Sequence, residues 1–223
     1  MLVPLRSIAA ALLSLALGAG CASFGQVRAV KTADRLGDLS AAIQDLQGRV
    51  KATATTLAAL VAAKDKDPGH AYGQFDSAVA ALGSAQKRAD MRLQGMKEYA
   101  DAYFVEWKEE AETIGDEDLR EISEERRSEL SDAVTEVAEE MAPVREEINA
   151  YLAELQDTLK YLSIDLTPHG ISAIDGRAAD ASKTSESLVE GLNDVLEKVQ
   201  QAAPQFARAK ASTPNRGGAL SRQ

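Results

Sequence analysis

The chain of 223 residues has one cysteine, two histidines and 4 % aromatic residues. A single cysteine cannot form an internal disulfide, and His70, His169 and this cysteine are too few for a structural zinc site. Neither histidine belongs to the Glu-x-x-His pairs that a helical di-metal site requires. The sequence also lacks a glycine-rich phosphate loop, a nucleophile elbow and a recognisable catalytic triad. We therefore expect a protein that is not an enzyme and that uses no metal or other cofactor.

Long apolar runs are also missing. The main apolar segment, residues 8–17, is too short to cross a hydrocarbon core as a helix, which takes about 20 residues. It follows Arg6 and precedes the small residues 18–20 and then Cys21, which is the order of a secretory signal. This ending is similar to the lipobox of bacterial lipoproteins, although Gly18 stands where a Leu is usual. The pattern predicts a signal peptide over residues 1–20 and a lipid on Cys21.

A lipid on Cys21 would hold the mature chain on a membrane without a spanning helix. Ala22 follows the cysteine, and by resemblance to lipoproteins of two-membrane bacteria the absence of Asp there favours the outer membrane. The remaining chain is then expected in the periplasm. The alternative is a buried free cysteine with ordinary signal-peptide cleavage nearby.

Positive charge is scarce in the middle of the chain. The formal net charge is −10, and residues 106–147 contain 17 acidic residues against 5 basic ones. Such a surface repels nucleic acid, so no nucleic-acid partner is expected. Weak cation binding is one interpretation of its most acidic run, although no EF-hand loop is present, and a solvated acidic tip is the other. The candidate residues are Glu109, Glu110, Glu112, Asp116, Glu117 and Asp118.

Apolar residues recur at alternating steps of three and four over most of the sequence, which is typical of helices that pack along one stripe. The first such stripe includes Leu36, Leu39, Ile43 and Leu46. Four segments carry the pattern, over residues 24–63, 68–114, 116–162 and 168–206. Asp67 and Thr167 each precede a proline, which predicts helix N-caps there.

The predicted fold is all-α: an elongated antiparallel bundle or coiled coil of about four long helices joined by short turns. We assign residues 21–35 to the lipid-anchored start and a tether, residues 36–206 to the bundle, and residues 207–223 to a disordered tail. Pro143 lies inside the third helix, where it predicts a kink or a break.

Aromatic residues are concentrated near the end of the second helix, at Tyr99, Tyr103, Phe104 and Trp107. Tyr103 and Trp107 lie on the apolar stripe, which favours a role in closing the end of the bundle. Phe104 lies off this stripe and is the best candidate for an exposed partner contact, with Trp107 as the second.

The segments Ala102–Trp107, Ser123–Arg127 and Tyr161–Thr167 together resemble a bacterial group known as Domain of Unknown Function 2959. The resemblance extends over about residues 75–200. It implies a helical, envelope-associated protein and supplies no activity and no functional residues.

The preferred hypothesis is a lipid-anchored periplasmic protein with a structural or protein-interaction role in the cell envelope. Its partners would be the membrane, through Cys21, and either another copy of itself or another envelope protein. The alternative is a periplasmic binding module for cations or cationic ligands that uses residues 106–147.

Overall fold

The computed structural model describes residues 24–211 of the chain, with their side chains over residues 27–206. Within that range all regular secondary structure is helical. The helices are α1 (Phe24–Ala62), α2 (Pro68–Glu112), α3 (Glu117–Ile164), α4 (Pro168–Ser172) and α5 (Asp175–Ala211). The predicted all-α bundle is confirmed.

The four long helices form a square bundle. α1 packs against α2 and α5, and α3 packs against the same two helices, so that α1 and α3 occupy opposite corners. Neighbouring helices are antiparallel because each follows the previous one through a short turn. A single core runs along the bundle axis and contains the predicted stripe residues, including Leu36, Phe75, Val137 and Leu192.

Side-chain caps start three of the helices. The Asp67 carboxylate accepts a hydrogen bond from the backbone N–H of His70 at 3.3 Å, and the Asp116 carboxylate accepts one from Leu119 at 3.1 Å. The Thr167 hydroxyl accepts from the N–H of Gly170 at 3.1 Å. Each bond satisfies an N–H that the first helical turn leaves without a partner, so the caps predicted at Asp67 and Thr167 are confirmed.

The bundle begins earlier and ends later than the sequence predicted. α1 starts at Phe24, and Ala29 and Thr32 are buried in the core, so residues 24–35 belong to the bundle and not to a tether. α5 continues to Ala211, five residues beyond the predicted end of the bundle at residue 206. Cys21, the predicted signal peptide and residues 212–223 lie outside the described part of the chain.

Two further predictions about the helices, at Pro143 and in the fourth segment, can be compared with the structure. α3 runs without a break through Pro143, which excludes the predicted alternative of a helix end at that residue. The predicted fourth helix is divided into α4 and α5 by Ala173 and Ile174. There the Ile174 N–H donates to the carbonyl of Ile171 at 3.1 Å, a tighter turn than an α-helix makes.

Among the helices of residues 24–211, none has the combination of length and apolar character that crossing a membrane requires.

Candidate functional site

Both candidate sets of residues lie at one end of the bundle, which we call the hairpin end. It consists of residues 103–130, around the α2–α3 turn, with the adjoining parts of α1 and α5. Arg28 forms an ion pair with Glu106, with 2.6 Å between Nη2 and Oε1, and this pair fixes the start of α1 beside the end of α2. Arg126 on α3 donates to the carbonyl of Gln205 on α5 at 3.0 Å. All four long helices therefore meet at the hairpin end.

An aromatic cluster fills the hairpin end from inside. The ring of Tyr103 lies 5.4 Å from that of Phe104 and 5.4 Å from that of Trp107, between centroids. Phe206 of α5 completes the cluster, 6.4 Å from Phe104. The half-buried Trp107 donates its indole N–H to the Ser123 hydroxyl at 2.8 Å, which joins α2 to α3. The cluster closes the bundle, as the stripe positions of Tyr103 and Trp107 predicted.

Phe104 is only 5 % exposed, so the prediction of an exposed side chain at this position was wrong. The physical reason is a contact across the bundle. Phe104 lies off the main stripe of α2, but Phe206 on α5 packs against it and removes it from solvent. A pattern within one helix does not reveal such a partner from another helix.

Burial within this cluster also changes the acid–base behaviour of Tyr103. Desolvation disfavours the phenolate and raises the pKa of Tyr103 to about 12. The hydroxyl therefore stays protonated at every physiological pH.

The six acidic residues proposed for cation contact are all exposed around the α2–α3 turn. One of them, Asp116, has a structural role because it caps α3. Within residues 24–211 no group of three or more His, Cys, Asp or Glu side chains converges in a way that could hold a metal ion. The structure therefore does not bring Glu109, Glu110, Glu112, Asp116, Glu117 and Asp118 together as a metal site.

A shallow groove of about 570 Å³ lies between the last turn of α2 and the first turns of α3. Its lining is mostly carboxylate with two cations: Lys108, Ala111, Glu112, Glu117, Arg120, Glu121, Glu124 and Glu125. The Arg127 guanidinium binds Glu124 and holds the pKa of that carboxyl below its usual range. The groove thus has a net negative charge, part of which is already paired.

Two apolar side chains on α3 at the hairpin end are exposed and were not predicted. Leu119 and Ile122, on the first turns of α3, are 56 % and 61 % exposed. Steps of four, three and four connect Leu119 through Ser123 and Arg126 to the buried Leu130, so Leu119 continues the core stripe of α3. The spacing from Leu119 to Leu130 is visible in the sequence, but the polar Ser123 and Arg126 interrupt the apolar pattern between them.

The opposite end of the bundle exposes a second apolar pair, Tyr161 and Ile164 on the last turns of α3. Their exposed fractions are 39 % and 82 %, and their spacing of three residues places them on one face. Beside Tyr161, a pocket of about 240 Å³ opens between α3 and α5, with Asp157 and Arg177 among its lining residues.

The fold defines the class of this protein as an antiparallel four-helix bundle with an acidic hairpin end. The model of a family described as "Protein of unknown function (DUF2959)" matches residues 21–206, and the chain belongs to this family. The match is longer than the predicted resemblance over residues 75–200 and includes all of α1. A search of curated proteins found no match, and a search of solved structures found none either.

Proposed function

We propose that this protein is a lipid-anchored periplasmic bundle, attached through Cys21 to the outer membrane, that contacts partner proteins and performs no catalysis. The observation that carries the proposal is the position of Cys21, three residues before the first residue of α1. The signal-like sequence of residues 1–20 supports it, as does a family match that starts at Cys21 itself. A single apolar core along the four long helices is consistent with a binding role.

This anchor would orient the bundle. Three residues span at most about 11 Å, so a lipid on Cys21 keeps the start of α1 close to the membrane. The Arg28–Glu106 contact places the α2–α3 turn at that same end. The hairpin end would then face the membrane, and the turn at Asp67 would point away. α1 has 39 residues, so the far end would stand about 60 Å from the anchor.

In this orientation the exposed pair Tyr161 and Ile164 lies at the far end, accessible to a protein in the periplasm. Exposed aromatic and aliphatic side chains on one helix face are typical anchors of protein contacts. We therefore place the partner contact at Tyr161 and Ile164, and no longer at Phe104 and Trp107. The partner would be another envelope protein or a second copy of the chain.

The anchor is tested by the intact mass of protein extracted from membranes. The expected species begins at Cys21 and carries diacylglycerol, and Cys21→Ser should abolish both the lipid mass and the membrane fraction. A soluble mature form that begins at Ser23 and is unchanged by Cys21→Ser would refute the proposal.

The partner surface is tested separately with a photo-crosslinking residue placed at Ile164 in cells. The matched control is the same residue at Met91, which is 65 % exposed on α2. A defined crosslinked product from Ile164 that Met91 does not give supports the contact. Equal products from both positions would remove it, whatever the result for the anchor.

The second candidate function is the binding of a cationic ligand in the groove at the hairpin end. Its supporting observation is the set of carboxylates along the groove, which leaves a net negative charge beside Lys108 and Arg120. Calorimetry with calcium and with a cationic peptide tests it. Absence of heat, together with an unchanged melting temperature, would exclude this candidate.

A further inference from the structure

The seam between α3 and α5 is closed near its middle and open towards the end of α3. A Cβ atom on Gly191 of α5 would stand 3.0 Å from Cγ2 of Val144 on α3, so the two helices approach closely there. Further towards the end of α3, two pockets of about 340 and 240 Å³ open in the same seam. Thr158 and Arg177 line both pockets, so the two adjoin. We call them together the α3–α5 groove, which is lined by residues 151–161 and 173–181 and by Leu57.

The α3–α5 groove reaches the core of the bundle. Leu57, which is 1 % exposed, belongs to α1 at the corner opposite α3 and still forms part of the lining. Leu155, Ile174 and Ala181 also line the groove and are buried. The floor is therefore apolar, and the two pockets together have the size of a small-molecule site, about 300–1,000 Å³. An apolar group bound on this floor would be removed from water, which favours binding.

Two hydroxyl groups of the larger pocket can act only as acceptors towards a ligand. Tyr151 Oη lies 3.2 Å from Thr53 Oγ1. Thr53 donates its own proton to the carbonyl of Val50 at 2.7 Å, so the proton of Tyr151 is used within the core. Thr158 donates its proton to the carbonyl of Glu154 at 2.8 Å. The oxygens of Tyr151 and Thr158 keep lone pairs, and a polar group bound beside them has to be a hydrogen-bond donor.

Charged side chains of both signs surround the groove. Glu154, Asp157 and Asp180 contribute carboxylates, and Arg177 contributes a guanidinium. Among the side chains of residues 27–206, none forms an ion pair with Arg177, Glu154 or Asp157. Asp180 has a contact of 3.8 Å with Lys183. The guanidinium and at least two carboxylates are therefore available to a ligand.

We propose that the α3–α5 groove binds a small zwitterion with an apolar side chain, which is the chemistry of an apolar amino acid or a short apolar peptide. The apolar side chain packs on the floor at Leu57 and Leu155. The ammonium group donates to the oxygen of Tyr151 and to the carboxylate of Glu154. The ligand carboxylate binds Arg177, whose planar guanidinium matches it with two parallel hydrogen bonds. The proposal does not depend on the lipid anchor at the start of the chain.

Ligands with one kind of charge fit this groove less well. A ligand with only positive charge would leave Arg177 without a partner and would be repelled by it. A ligand with only negative charge would be repelled by the three carboxylates and would offer no donor to Tyr151. A zwitterion matches both sets of groups, and its apolar part uses the buried floor.

Binding is tested by NMR titration of the full chain with Cys21→Ser, with L-leucine and leucyl-leucine as the probes. Two analogues of leucine serve as controls: leucinamide lacks the carboxylate, and 4-methylpentanoate lacks the ammonium group. Leucine or the dipeptide should shift the amide signals of residues 151–161 and 173–181. The probe that binds should do so about three- to tenfold more tightly than either analogue, because each charged contact is partly exposed. The tighter of the two probes distinguishes an amino acid from a peptide as the ligand.

The variant Arg177→Ala separates recognition of the ligand carboxylate from any effect on folding. It should remove the preference for leucine over leucinamide and leave the affinity for leucinamide unchanged. The matched control is Lys160→Ala, which removes one positive charge from an exposed residue outside the groove lining and should keep the preference. The proposal is overturned if neither probe shifts these amides, if leucine and both analogues bind equally, or if Arg177→Ala retains the preference.

Discussion

The hydroxyl groups of Thr53 and Tyr151 lie 3.2 Å apart in the core, although their helices occupy opposite corners of the bundle. Thr53 donates its own proton to the carbonyl of Val50 at 2.7 Å, so Tyr151 is the donor to Thr53. Ser185 on α5 donates to the same carbonyl at 3.4 Å. This polar layer links α1, α3 and α5 inside an otherwise apolar core, and it fixes which residues of the three helices face one another.

The layer predicts different costs for two changes at Tyr151. Tyr151→Phe removes one buried hydrogen bond but leaves Thr53 bound to Val50, so we expect a loss of about 1 kcal/mol in the free energy of unfolding. Tyr151→Ala also leaves a cavity and should cost about 3–5 kcal/mol. Urea unfolding measures both. Tyr161→Phe, on the exposed part of α3, is the control and should change stability by less than about 0.5 kcal/mol.

Gly170 is expected to tolerate no side chain. A Cβ atom there would stand 2.3 Å from the backbone oxygen of Asp165, a contact that only a backbone shift can relieve. Gly170→Ala should therefore destabilise the protein by about 1–3 kcal/mol. The corner at Asp165 is also held by Thr167, whose hydroxyl donates to the Asp165 carboxylate at 2.6 Å.

Gly176 provides the matched control for Gly170. It is the second residue of α5, and nothing comes within 4 Å of a Cβ atom built at this position. Gly176→Ala should therefore raise stability by about 0.5–1 kcal/mol through helix propensity. Thermal unfolding of both variants measures the contrast. A Gly170→Ala protein as stable as Gly176→Ala would contradict this account of the corner.

Phe104 should behave as a core residue. Because it packs against Tyr103 and Phe206 with 5 % exposure, Phe104→Ala should lower the free energy of unfolding by about 3–5 kcal/mol. The neighbouring Val105 is 58 % exposed, and Val105→Ala should cost less than about 0.5 kcal/mol. Chemical denaturation distinguishes the two. A fully stable Phe104→Ala protein with altered partner crosslinks would restore Phe104 as a contact residue.

The sequence predicted the helices well because the features that determine a helix lie within a short stretch of the chain. Stripe residues such as Leu36 and Leu192, and caps such as Asp67, act within one helix, and a pattern in one helix records them. The errors concern contacts between helices. Phe104 is buried by Phe206, about a hundred residues later in the chain. Ala29 and Thr32 continue the stripe of α1 at steps of three and four before Leu36, but one residue is small and the other polar, which makes the apolar pattern weak there.

The candidate site was predicted less well for the same reason. Its acidic composition is visible in the sequence, but whether the carboxylates converge depends on the geometry of the α2–α3 turn. The helix ends that meet are joined by the Arg28–Glu106 ion pair and by the hydrogen bond from Arg126 to Gln205. No sequence pattern predicts either contact. Leu119 had a signal in its spacing to Leu130, although Ser123 and Arg126 obscured it.

The buried Tyr103 predicts a loss of stability at alkaline pH. Its pKa is about 12 in the folded protein and about 10 in an unfolded chain. Between these values the unfolded chain has lost a proton that the folded chain retains, so the free energy of unfolding falls as the pH rises from 10 to 12. A shift of this size corresponds to roughly 2 kcal/mol by pH 12.

Tyr103→Phe isolates this contribution, because the variant keeps the ring and loses the ionisable hydroxyl. Burial also raises the pKa of Tyr151, so the wild type alone would combine both residues. We expect the stability curves of the wild type and of Tyr103→Phe to run parallel from pH 7 to 9 and to diverge above pH 10, where the wild type loses more. Urea unfolding at a series of pH values measures this difference. Curves that stay parallel up to pH 12 would show that Tyr103 is less buried than the aromatic cluster of the hairpin end requires.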